Sequence, residues 1–113
     1  MIEQLRPADI NAWLAQHQAA QPLLLDVREP WELQTASVTP PPGCTLLAIP
    51  MGVLPVRLHE LDPERPTACL CHHGGRSMNV AMFLAQRGFA QVANVAGGID
   101  AWARDCDPSL PRY

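Results

Sequence analysis

With 113 residues, 48% of them apolar, the chain has enough material for one globular domain spanning 1–113 and too little for two. The 8 Lys+Arg are scattered and outnumbered by 11 Asp+Glu, for a formal net charge of −3, so no basic stripe exists to neutralise a run of phosphates and nucleic acid is not expected as a partner. No apolar run approaches bilayer length, and the first residues lack a basic segment followed by an apolar one, so the expectation is a cytoplasmic protein with no membrane partner.

Pro7 suits a first helical turn, and Ile10, Trp13, Leu14 and His17 recur at helical spacing, which predicts an amphipathic helix over about 7–17. Leu23-Leu24-Leu25-Asp26-Val27 is short and apolar until its end, the pattern of a strand buried on both faces. Between Thr35 and Gly43 there is no period, and Pro40-Pro41-Pro42-Gly43 predicts a surface loop. Cys44 to Ile49 reads as a second buried strand. Pro55 opens a helical stretch carrying Leu58 and Leu61, with Leu54 on the same face, which Asp62-Pro63 ends. Thr67 to Cys71 is a third strand, running straight into a loop with two glycines. From Ser77 the spacing of Val80, Phe83 and Leu84 predicts a helix closed by Gly88. Gln91 to Val95 is a further strand, Gly97-Gly98 a turn, and Ile99 to Arg104 a last short helix. Strands alternating with helices imply an α/β fold, with a largely parallel central sheet of about five strands flanked by helices on both faces. Ligands of such sheets sit beyond the carboxyl ends of the strands, where Cys71 falls.

The segment Cys71-His72-His73-Gly74-Gly75-Arg76-Ser77 has the parts needed to stabilise a thiolate. Backbone N–H groups of a curved loop and a helix start can converge on the sulfur, Gly74 and Gly75 freeing the backbone to do so. Arg76 adds a fixed charge, and Ser77 a hydroxyl that donates or accepts. Such a thiol would be a nucleophile near neutral pH, and the same cradle would hold the negative terminal sulfur of a persulfide. By itself the segment equally admits a buried cysteine at a strand end followed by a turn.

The loop resembles the active-site loop of the rhodanese family, in which the cysteine becomes persulfidated and four residues separate it from the basic residue. Leu24-Leu25-Asp26-Val27-Arg28-Glu29-Pro30-Trp31-Glu32 is similar to that family's Asp-Val-Arg-Glu-x-x-Glu motif, and Val95-Ala96-Gly97-Gly98-Ile99-Asp100-Ala101-Trp102 to its closing Gly-Gly-x-x-x-Trp segment. The resemblance implies a rhodanese-like fold and a thiosulfate sulfurtransferase-like enzyme. Cys71 would be the catalytic nucleophile, and His72, His73, Gly74, Gly75, Arg76 and Ser77 would line the substrate site. Arg76 would attract an anionic donor, while Asp26 and Arg28 support the loop. Its partners would be a small-molecule sulfur donor, thiosulfate or a persulfide, and a thiol, cyanide or sulfur-accepting protein. No cofactor is called for. Two departures stand out: Ala36 to Gly43 replaces a Gly-His-Ile-Pro-Gly-Ala stretch, and His72 stands where the family often has arginine, so a fixed cation becomes a titratable group.

Three other readings compete. Cys69, Cys71, His72 and His73 are zinc-ligand types, but Cys69 and Cys71 are one residue apart with no second ligand pair, so no metal is expected. Cysteine-dependent phosphatases and arsenate reductases also end a thiolate loop in arginine, with five intervening residues that make a wider ring; here there are four, His72 to Gly75. A non-enzymatic sulfur-carrier or regulatory module of the same family usually lacks the cysteine, which is present. The remaining cysteines, Cys44, Cys69 and Cys106, are expected as free thiols. Trp13 and Trp102 are assigned to packing, Trp31 to the edge of the site, and His17, His59 and His73 to surface or boundary positions.

Overall fold

The apolar run at Leu23 becomes the middle of the sheet. In the computed structural model, which describes residues 2–113, β2 (Leu23–Asp26) is buried along its whole length and pairs in parallel with β3 (Thr45–Ala48) on one side and β4 (Thr67–Leu70) on the other. β5 (Val92–Val95) pairs with β4, and β1 (Glu3–Leu5) adds an outer strand beside β5. The five strands lie in the order β1-β5-β4-β2-β3, all parallel.

Side chains alternate across the sheet and so divide the core in two. Leu24, Ala68, Leu70, Ala93 and Val95 face α1 (Ile10–Gln16) and α4 (Gly98–Asp105), where Trp13 and Trp102 fill the layer as packing residues. Leu23, Leu25 and Cys69 face the opposite way, against Val80, Ala81 and Leu84 of α3 (Gly75–Gln86) and against Leu54 and Leu61. The expected parallel sheet with helical layers on both faces is present.

Several elements differ in kind from their expectation. The helix foreseen over 7–17 is a 3-10 turn, Pro7–Asp9, followed by α1, the Asp9 amide bonding the Arg6 carbonyl three residues back. The stretch opened by Pro55 is 3-10 over Pro55–Glu60. Pro55, Leu58 and Leu61 are spaced by three, which suits three residues per turn. The 35–43 segment is not wholly a surface loop, because Ala36 and Val38 are buried in the core. A short helix, α2 (Pro30–Thr35), was not foreseen, although its signals are in the sequence: Pro30 at the first position, and a capping box in which Glu29 and Glu32 each accept the other's backbone N–H.

The topology fixes where a site can form. From β2 the chain crosses by α2 to β3 at one edge; from β4 it crosses by α3 to β5 on the other side. β2 and β4 are neighbours whose connections leave in opposite directions, which opens a crevice beyond their carboxyl ends. The residues at those ends are Asp26 to Glu29 and Cys71 to Gly75.

Candidate active site

Cys71 follows β4 directly and is turned toward α3, the same side as Cys69 two residues earlier. The residue is 1% exposed, and its sulfur accepts hydrogen bonds from the Gly74 amide at 3.0 Å and from the Ser77 hydroxyl at 3.2 Å. Both donors come from the turn into α3, whose N-terminus favours negative charge. The Ser77 oxygen also lies 2.5 Å from Oδ1 of Asn94, a buried residue of β5. One hydroxyl proton cannot serve both acceptors, so it turns to the sulfur when the sulfur is an anion and to Asn94 when Cys71 is a thiol. The Asn94 amide donates to the Gly74 carbonyl at 3.2 Å and to Gln4 Oε1 at 3.0 Å, tying the loop to β5.

The outer side of the loop is held by α4. The amide of Ile99 bonds the Cys71 carbonyl at 2.9 Å, and that of Asp100 bonds the His72 carbonyl at 3.1 Å. This approach requires Gly98, since a Cβ there would collide with the carbonyl oxygens of Cys71 and His72. Within the loop the conformational demand falls on Gly74 alone, at φ +102; Gly75 is the first residue of α3 and has open space where a Cβ would stand.

A second layer is ionic. Arg76 makes a two-pronged pair with Glu32, at 2.6 and 2.8 Å, and this pair holds Glu32 down to a pKa of about 2 while raising that of Arg76. Glu32 Oε2 also accepts the Tyr113 hydroxyl at 2.7 Å, and Tyr113 in turn accepts from Arg28 at 3.0 Å. Arg28 is fully buried and paired with Asp26 at 2.7 Å. Burial opposes its charge, but the bonds to Asp26 and Tyr113 outweigh that and leave its pKa raised. Asp26 and Arg28 therefore lie behind the loop, linked to Arg76 through Tyr113 and Glu32.

The Tyr113 ring stacks on His72, with centroids 3.8 Å apart and planes at 10°, and the His73 ring is tilted against His72 at 3.8 Å. His72 is half-buried, its Nε2 finds no hydrogen-bond partner, and burial, with the neighbouring His73, lowers its pKa. His73 is exposed, and so is Trp31, which meets Tyr113 edge-on at 5.9 Å. Cys69 is fully buried and its thiol is pushed up to about 12, which leaves it unreactive. Among the described residues no three His, Cys, Asp or Glu side chains form a metal-binding group, and no helix is long and apolar enough to cross a membrane.

The structure places the Gly74 amide and the Ser77 hydroxyl on the Cys71 sulfur, while Arg76 is turned to Glu32 and His73 and Gly75 are exposed. Glu32, Asn94 and Tyr113 were not singled out as site residues. Glu32 had a signal, its place in the Asp-Val-Arg-Glu-x-x-Glu motif, but Asn94 and Tyr113 reach the loop only through tertiary contacts.

Comparison with known proteins agrees with this geometry. The sequence profile of the rhodanese-like domain family matches residues 10–105. A protein named "Sulfurtransferase" from Allochromatium vinosum is 35% identical over 82 residues, covering 73% of this chain and 72% of that protein. The chloroplastic rhodanese-like/PpiC domain-containing protein 12 of Arabidopsis thaliana is 44% identical over 92 residues, 80% of this chain, which spans only 30% of that longer protein. A rhodanese-related protein from Thermoplasma volcanium superposes with a TM-score of 0.75 at 29% identity, over 98% of this chain and 99% of that one.

Proposed function

This chain belongs to the rhodanese-like domain family, and on that premise we propose that it is a sulfurtransferase working through a persulfide on Cys71. The observation that carries the reading is the Cys71 sulfur, held by the Gly74 amide and the Ser77 hydroxyl at the mouth of the β2/β4 crevice. In the first half-reaction the Cys71 thiolate attacks the sulfane sulfur of a donor, thiosulfate or a persulfide. The new bond joins Sγ to that sulfur as the donor's S–S bond breaks, and sulfite or a thiolate leaves with the electron pair. In the second, a thiol, cyanide or a sulfur-accepting protein attacks the terminal sulfur and the Cys71 thiolate departs.

The chain's own groups suit each half. The Gly74 amide and the α3 N-terminus stabilise negative sulfur, and the Ser77 hydroxyl follows the charge by turning away from Asn94. The Arg76–Glu32 pair fixes the start of α3 against α2. His73 and Trp31 are exposed at the rim, where an acceptor would arrive. A reducing cytoplasm is the compartment in which such a thiol cycle runs.

The test is mass spectrometry of the protein after incubation with thiosulfate and, separately, with glutathione persulfide. A 32-dalton adduct confined to Cys71 is expected from a sulfur atom gained, and Cys71→Ser is expected to lose both adduct and turnover while keeping its melting temperature. An adduct on another cysteine, or full activity in Cys71→Ser, would falsify the reading.

A further inference from the structure

Building on the sulfurtransferase reading, we infer that this site draws its sulfur from a persulfide, R–S–SH, in preference to thiosulfate, because every arginine at the carboxyl end of the sheet is matched by a carboxylate and Tyr113 keeps that matching in place.

The chain has eight arginines and no lysine. Among the described residues, six arginines are ion-paired. Three of these surround the loop: Arg28 with Asp26, Arg76 with Glu32, and Arg112 with Asp100, whose amide already holds the His72 carbonyl. The two without a carboxylate are elsewhere. Arg65 donates to the Gln21 carbonyl just before β4, at the opposite end of the sheet. Arg87 ends α3, the helix whose other end opens the loop, and sits over the Phe83 ring at 4.8 Å.

Histidine does not make up the difference at position 72. His72 is stacked on Tyr113 with His73 tilted against it, its buried Nε2 has no hydrogen-bond partner, and burial with His73 outweighs the Tyr113 backbone bond and the Glu32 and Asp100 charges that favour the imidazolium. Some of the backbone dipoles are also committed. The Gly74 amide serves the Cys71 sulfur, and the first free amides of α4 serve the Cys71 and His72 carbonyls. Thiosulfate brings two negative charges to a thiolate, and no unmatched arginine stands at this end of the sheet to offset them. A persulfide group carries at most one charge, on the terminal sulfur that the cradle itself receives.

Tyr113 is the positioning residue in this arrangement. It lies beyond residues 10–105, the extent of the family match. Its hydroxyl donates to Glu32 and accepts from Arg28, holding the carboxylate that cancels Arg76, while its ring fixes His72. The transfer balances without an oxidant: the Cys71 thiolate attacks the terminal sulfur of R–S–SH, the Sγ–S bond forms as the donor's S–S bond breaks, and R–S⁻ leaves with the electron pair. The proton stays on the terminal sulfur or passes to R–S⁻, and the sulfane sulfur keeps its oxidation state.

The experiment measures single-turnover loading of Cys71 by thiosulfate and by the persulfide of 2-mercaptoethanol, whose organic part carries no charge, in wild type, Glu32→Gln and His72→Arg, as a function of salt. Each variant adds one uncompensated positive charge by a different route, so the result survives if one of them fails to fold. Both are expected to raise the ratio of the thiosulfate rate to the persulfide rate by about tenfold; taking the ratio within each variant cancels any change in the reactivity of the loop itself. In wild type, thiosulfate loading should be the slower and should hold or rise as salt screens like charges. Thiosulfate loading as fast as persulfide loading, falling with salt and unmoved by either substitution, overturns the inference and leaves the sulfurtransferase reading intact. Failure of both donors to load Cys71 removes both.

Discussion

The Ser77 hydroxyl has two places to put one proton, and the choice follows the charge on Cys71. Ser77→Ala removes a hydrogen bond available to the anion while leaving the packing of this buried helix residue nearly unchanged. Bonds to charged groups are worth about 1.5–3 kcal/mol, so alkylation of Cys71 by iodoacetamide at neutral pH is expected to slow by about tenfold, and the melting temperature to fall as buried Asn94 Oδ1 loses its donor. An unchanged rate would show that the Gly74 amide suffices alone. Residues of this local kind were legible in the sequence: Cys71, Gly74, Arg76 and Ser77 lie within seven positions, and the resemblance to the rhodanese loop gave their grouping a chemistry. Asn94 and Tyr113 were not legible. Asn94 looks like one polar residue in a short strand, and it acquires a role only because β5 pairs with β4 and brings its amide to the Gly74 carbonyl. Tyr113 is separated from its partner Arg28 by 85 positions.

At the scale of elements, the loop is clasped between the starts of two helices, and the glycines there are not equivalent. Gly98→Ala must push a methyl into the Cys71 and His72 carbonyls from a backbone already at φ +63, and is expected to destabilise by more than about 2 kcal/mol in urea unfolding, with loss of activity. Gly75→Ala meets nothing within 4 Å and sits at the first position of α3, so its unfolding midpoint should hold or rise slightly. The reverse order would mean that the α4 contact is dispensable. The element pattern was readable wherever an apolar period was long, as in α3 and in the buried strands. It faded for α2, whose six residues carry too few repeats to show a period, and for β1, a three-residue outer strand with only Leu5 buried.

Across the whole molecule, Glu32 is the point where separate segments meet: α2 bears it, α3 supplies Arg76, and the tail supplies Tyr113, itself bonded to Arg28 just beyond β2. Its folded pKa, about 2, lies below its ordinary value of 4.5, so its contribution to stability is complete above that ordinary value and is lost as pH falls through the folded one. The loss is on the order of 2–3 kcal/mol. Unfolding midpoints measured against pH should therefore fall more steeply for wild type than for Glu32→Gln over this acid range, and parallel curves would sink the assignment. The parallel sheet and the position of its crevice were foreseeable from alternating strands and helices, but the strand order was not, since the sequence contains no statement of which neighbour each crossover reaches. The clasp of α4 on the loop has a further consequence for how the protein tolerates change. The carbonyls of Cys71 and His72 are held from outside by main-chain amides, and the sulfur is held from inside by another. The positions of greatest chemical consequence thus depend least on the letters at 72, 73 and 75, and a library randomised there should retain the nucleophile while its substrate range drifts.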